Sequence, residues 1–171
     1  DGDNFRFFDR YSRGDGRLAG ANQKNVWLDD WRLTNDGDNW TVKAGDGDVK
    51  LTLNMKQIKP MMFNGDQGLS QKSEAPGNAS YYYALTRLES SGTLKIGDDE
   101  FTLNGLTWLD REWGTSALSA EQAGWDWYAL HLSDGSDLMF YNLRNNDGSQ
   151  HPYSAGSWFS ADGIKTALDN D

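Results

Sequence analysis

Seven Asp-Gly dipeptides punctuate this chain, at Asp1-Gly2, Asp15-Gly16, Asp36-Gly37, Asp46-Gly47, Asp134-Gly135, Asp147-Gly148 and Asp162-Gly163. Several lie between runs in which apolar and polar residues alternate, where the pair provides the positive φ angles of a tight hairpin. A chain of short alternating runs joined by such turns has few options besides an antiparallel sheet. The same acidic turns invite a calcium reading. An EF-hand, however, needs acidic or amide side chains at positions 1, 3 and 5, then Gly and a distant Glu, and no segment supplies that register. We read them as turns and expect no metal site.

Period-two alternation predicts a strand over Val26–Thr34, with Trp27, Asp29, Trp31 and Leu33 on one face. Trp40–Ala44 and Val49–Met55 form a hairpin across Gly45–Asp48, and Ile58–Phe63 is a short run bounded by Pro60. Residues 64–78 are polar and glycine-rich and read as a surface loop. Ala79–Leu88 puts Tyr81, Tyr83, Leu85 and Arg87 on one face and Tyr82, Ala84, Thr86 and Leu88 on the other. Leu94–Ile96 pairs with Phe101–Asp110, Trp125–Leu132 with Leu138–Arg144, and Ala155–Ser160 with Ile164–Leu168. Only Ser116–Ala123 suits a short helix. No link holds a parallel-sheet crossover, so the expected class is all-β, an antiparallel sandwich or up-and-down barrel.

Composition narrows the function. A net charge of −10 and a pI near 4.5 leave no basic patch for phosphates, which argues against nucleic acid. The absence of cysteine removes disulfides and thiol nucleophiles, and two histidines are too few for an ordinary transition-metal site. There is no G-x-S-x-G elbow, no H-E-x-x-H and no glycine-rich phosphate loop, so a serine or metallo-hydrolase is not expected. Aromatic residues make up 13% of the chain and suit an apolar interior that holds a lipophilic small molecule.

The chemistry concentrates between Asn104 and Leu132, which holds four of the eight tryptophans. Asp110 and Glu112 alternate with Arg111 and Trp113 at a strand end. Two carboxylates beside aromatics can split their pKa values, leaving one protonated as an acid. The same residues equally suit an Arg–carboxylate lattice that pins a barrel corner. Asp126 faces opposite Trp125 and Trp127, either outward or as a lone acid in an apolar pocket. His131 shares the tryptophans' face, as a hydrogen-bonded core residue or a catalytic one. Asp29, between Trp27 and Trp31, needs a partner such as Arg32, Arg87, Arg111 or Arg144.

Six stretches in order, RYSRGDGRLAGA, VWLDDWRL, SYYYALTRL, GLTWLDREWG, GWDWYALHLSDGSDLMFYNLR and DGSQHPYSAGSW, resemble the AttH-like proteins. These belong with the hydroxyneurosporene synthase (carotenoid 1,2-hydratase) family. The resemblance implies a lipocalin-like (calycin) β-barrel over residues 1–168, short of its first strands. Residues 169–171 would then lead to a second lipocalin-like domain of the same chain. It also implies export to the periplasm or beyond and an association with ABC-transporter permeases, although DGDNFRFF does not read as a signal peptide. Where the hydratases carry a His, this chain has Arg111.

Two functions follow. In the first, the protein binds an isoprenoid- or lipid-like molecule as an accessory to an ABC transporter, with Trp108, Trp113, Trp125, Trp127, Tyr81, Tyr83, His131 and Tyr141 lining the site. In this frame Arg111, Asp29, Asp126 and Arg144 are structural ion pairs. The alternative is a cofactor-free hydratase or isomerase with Asp110 or Glu112 as its acid.

Overall fold

A computed structural model describes residues 5–115 and 118–168. The described residues form antiparallel strands and no helix, an all-β, lipocalin-like fold whose ladders do not close into a ring among them. Every described Asp-Gly pair places its glycine at positive φ, between 55° and 87°. The chain divides into two compact units, residues 1–58 with 88–107, and residues 59–87 with 108–171.

The first unit is an antiparallel meander. It comprises β1 (Ala19–Ala21), β2 (Asn25–Leu28), β3 (Trp31–Asp36), β4 (Asn39–Asp46) and β5 (Val49–Gln57). The later part of β8 (Ala79–Ile96) and the earlier part of β9 (Asp99–Gly114) complete it. The β4–β5 hairpin closes on Gly47-Asp48, with Asp46 opposite Val49. The β5–β8 ladder then runs from Val49↔Ile96 to Gln57↔Leu88. Gly92 sits in this ladder because a Cβ there would run into the Thr52 carbonyl oxygen.

Four expectations need correction. Val26–Thr34 is not one strand but the β2–β3 hairpin, with Leu28 opposite Trp31 and Trp27 opposite Arg32. Asp29 turns the chain at a φ of 57°, a left-handed conformation that Asp tolerates, so it shares no strand face with the tryptophans. Ile58–Phe63 shortens to β6 (Met62–Phe63), and the expected loop contains β7 (Leu69–Gln71). Of the expected helix at Ser116–Ala123, residues 116 and 117 lie outside the described residues. Leu118–Glu121 is irregular and Gln122 and Ala123 already belong to β10 (Gln122–His131), so the described part is not helical.

In the second unit, β6 and β7 pair with the earlier part of β8. A separate four-stranded sheet runs β10, β11 (Asp137–Asn145), β12 (Ala155–Phe159) and β13 (Lys165–Leu168). Alternation is strict on β11, where Asp137, Met139, Tyr141 and Leu143 are buried. Met139, Tyr141 and Leu143 form the core with Met62, Tyr82, Ala84 and Phe159, each sheet supplying its inward positions.

Candidate functional site

Above this core the second unit holds a cavity of about 520 Å³. It is lined by Lys72, Ala79, Ser80, Tyr82, Glu112, Trp113, Gly114, Leu118, Trp125, Trp127, Tyr141 and Leu143. The volume lies in the range of small-molecule sites, roughly 300–1,000 Å³. Trp125 and Trp127 reach it from β10, and their cross-strand partners Leu143 and Tyr141 from β11. A register shift between Gln122 and Gly124 marks the start of β10.

Alternation also sets the polar groups. Opposite the tryptophans' face, Asp126 forms an ion pair with Arg144, so Asp126 is not a lone acid in the cavity. Asp29 pairs with Arg10 at 3.2 Å, inside the first unit. Arg111 is exposed and has no ion pair among the described residues. His131 donates from Nε2 to the Thr86 carbonyl at 2.7 Å, and its ring lies 5.7 Å from that of Trp108. Neither of these two rings lines the cavity. Tyr81 and Tyr83 turn to the other face of β8, where their rings lie 5.7 and 6.0 Å from that of Trp113.

Four residues that sequence reasoning passed over shape the site: Tyr82, Lys72, Ser80 and Ser70. The Tyr82 hydroxyl accepts a hydrogen bond from Trp127 Nε1 at 3.1 Å, and it lies close enough to Asp110 for each group to shift the other's titration. Asp110 also accepts from Trp108 Nε1 at 3.0 Å. Burial pushes the Asp110 carboxyl above the usual carboxylate range despite these bonds, and the nearby Glu112 adds to the rise. Burial, then the charge of Asp110, likewise raises the Tyr82 phenol.

Glu112 has different company. Its Oε1 accepts from Ser80 Oγ at 2.5 Å and lies 3.1 Å from Lys72 Nζ. The ammonium sits 4.0 Å from the centre of the Tyr141 ring, whose hydroxyl is 3.1 Å from Ser70 Oγ. The site thus combines aromatic walls, one desolvated acid beside a phenol, and one carboxylate held by a lysine and a serine. Lys72 follows a three-residue strand inside a polar stretch, and no sequence signal marks it. Tyr82 did carry one, since it shares a face with Ala84, Thr86 and Leu88.

The class that these observations define is an antiparallel, lipocalin-like fold with an aromatic, acid-bearing cavity. All 171 residues match the AttH-like family, and the chain belongs to it. The matched relatives include the dehydratase asqC of Emericella nidulans, 29% identical over 101 residues, covering 56% of this chain and 27% of that protein. Kievitone hydratase of Fusarium solani subsp. phaseoli is 23% identical over 108 residues, covering 61% of this chain and 29% of that protein. A crystal structure of a Nitrosomonas europaea protein described as AttH superposes with a TM-score of 0.83 at 31% identity, covering 91% of this chain and 48% of that one. Kievitone hydratase from Nectria haematococca shares the fold, with a TM-score of 0.66 at 16% identity, covering 84% and 45%. The chain thus spans about half the length of the solved structures it matches.

Proposed function

We propose that the cavity belongs to a cofactor-free hydro-lyase that adds water to, or removes it from, a lipophilic unsaturated small molecule. One observation carries this reading: among the described residues, no arginine engages Asp110 or Glu112 beside the aromatic cavity. Arg87 is committed to Asp137, Arg144 to Asp126, and Arg111 is exposed. A corner lattice would have consumed both acids.

The two carboxylates suit opposite tasks. Asp110, desolvated and therefore inclined to hold a proton, supplies it through the Tyr82 hydroxyl. Glu112, held by Ser80 and Lys72, takes a proton from water at the cavity wall. The relatives named dehydratase and hydratase support this chemistry over the binding-only reading. An accessory ligand carrier for a transporter would use the same aromatic walls and leave both carboxylates without a task.

The test incubates the full-length protein with terpenoid and prenylated-aromatic extracts in heavy-oxygen water. Products heavier by one labelled water are expected, and D110N and E112Q should each abolish them. Ligand that is retained unchanged, with no label gained, would refute the proposal.

A further inference from the structure

Lys72 has no part in the proton transfers just described, yet it is fixed in the cavity. Its main-chain carbonyl accepts from Gln122 Nε2 at 2.7 Å. Gln122, itself buried, reaches His151 Nδ1 at 3.2 Å. The Lys72 side chain is only 18% exposed, and its ammonium lies against the faces of Tyr141 and Tyr82, 4.0 and 5.7 Å from the ring centres. A lysine held this way keeps a compact positive charge at the cavity wall.

That charge bears on which alkenes the site can handle. Protonating an isolated double bond creates a carbocation, which a neighbouring ammonium opposes. Adding water to a double bond conjugated with a carbonyl instead creates negative charge on the carbonyl oxygen, which an ammonium stabilises. Glu112 couples the two events. At rest it offsets the charge of Lys72 at 3.1 Å. When it takes a proton from water it becomes neutral, and the full charge of Lys72 appears as the substrate oxygen turns negative.

Resting on the hydro-lyase reading above, we propose that the substrate is an α,β-unsaturated carbonyl compound whose oxygen Lys72 binds. The water oxygen bonds to the β-carbon as its proton passes to Glu112. The π pair shifts to leave an enolate, with its charge on the oxygen beside Lys72 Nζ. The α-carbon then takes the Tyr82 hydroxyl proton, which Asp110 replaces. Glu112 loses its proton to solvent and Asp110 regains one, so one water is added in total; dehydration runs the same steps in reverse.

The probes are chalcone, an aryl enone, and prenylbenzene, an isolated alkene, each offered to the full-length protein. Water should be gained on chalcone and not on prenylbenzene. Bound chalcone should show a red-shifted absorption band, as expected of a carbonyl held by a cation. In K72M, with an unchanged near-ultraviolet circular dichroism spectrum, the red shift should vanish and kcat on chalcone should fall by about a hundredfold, the scale of losing one oxyanion donor. K72R should recover part of both. Water gained on prenylbenzene alone would keep the hydro-lyase reading and overturn this one. So would chalcone hydration at an equal rate in K72M. Failure to gain water on either probe and on every extract component overturns both. The preference of the unaltered protein between the probes decides the matter even if K72M does not fold.

Discussion

Asp137→Asn is the substitution with the largest expected effect away from the cavity. Asp137 is wholly buried at the start of β11. Its Oδ2 lies 2.8 Å from Lys59 Nζ and accepts from Thr86 Oγ1 at 2.9 Å, while its Oδ1 accepts from Arg87 Nε at 2.8 Å. Both cations also hold main chain. Lys59 donates to the carbonyls of Gly135 and Phe159 at 2.8 and 3.3 Å, and Arg87 to those of Leu132 and Ser136, both at 3.0 Å. Asparagine keeps the size and one carbonyl oxygen but removes the charge that two cations share. The Lys59 and Arg87 side chains are 5% and 13% exposed, so neither can rehydrate without opening the β10–β11 turn. Removing one partner of a buried ion pair costs about 3–5 kcal/mol. That is a large share of the roughly 5–15 kcal/mol that holds a domain folded. Urea unfolding followed by tryptophan fluorescence reads it well, because Trp108, Trp113, Trp125, Trp127 and Trp158 all belong to the unit concerned. The midpoint should fall with little change in slope. Asp126→Asn, which breaks the half-exposed pair with Arg144, should leave the midpoint close to that of the unaltered protein. Equal midpoints for Asp137→Asn and the unaltered protein would refute the argument that this charge holds the turn.

Two further outcomes follow from the same geometry. Burial raises the Asp110 pKa above its unfolded value, so the native state holds that proton more tightly than the unfolded chain does. The resulting stability is present at acid pH, below the unfolded pKa, and is lost as pH rises through the raised folded value. The stability of the unaltered protein relative to D110N should therefore fall from acid to neutral pH, and a flat or rising difference in urea titrations would contradict the burial argument. In the first unit, Gly92→Ala should cost about 1–3 kcal/mol by overpacking the β5–β8 ladder against the Thr52 carbonyl. Gly105→Ala, where an added Cβ meets nothing within 4 Å, is the matched control, and equal thermal midpoints for the two would count against the close approach.

Where the sequence pattern succeeded and where it failed share one cause. Alternation read β10, β11, β12 and β13 nearly to their ends because each strand is bounded by a turn with glycine at positive φ. It missed the β2–β3 turn because a two-residue loop preserves the period of two. Trp27, Asp29 and Trp31 keep their alternation across Asp29-Asp30 although the chain reverses there. β7 escaped because three residues are too few to show a period. Its place comes from its pairing with β8, Leu69↔Tyr81 to Gln71↔Ala79, which the residue pattern of β7 alone does not encode. Lys72, next in the chain, was lost with it. Tyr82 was overlooked for a related reason: alternation put it on a face with Ala84, Thr86 and Leu88, but with tyrosines on both faces the residue types did not say which face turns to the cavity.

The availability of the two acids depends on how the arginines are distributed. Because Asp126 and Arg144 share the face opposite Trp125 and Trp127, they neutralise each other away from the cavity. Arg87 is held by Asp137, and Arg111 points to solvent. The cation left among the cavity-lining residues is Lys72. An arginine there could clamp Glu112 through two parallel bonds and hold it inert. A lysine makes one point contact, which can break and reform as Glu112 gains and loses a proton. The pairing at 3.1 Å can therefore hold the carboxylate in place between turnovers and still release it to react. Replacing that lysine with the stronger clamp should leave the fold intact and slow the chemistry, which is why K72R is expected to recover only part of the activity lost in K72M.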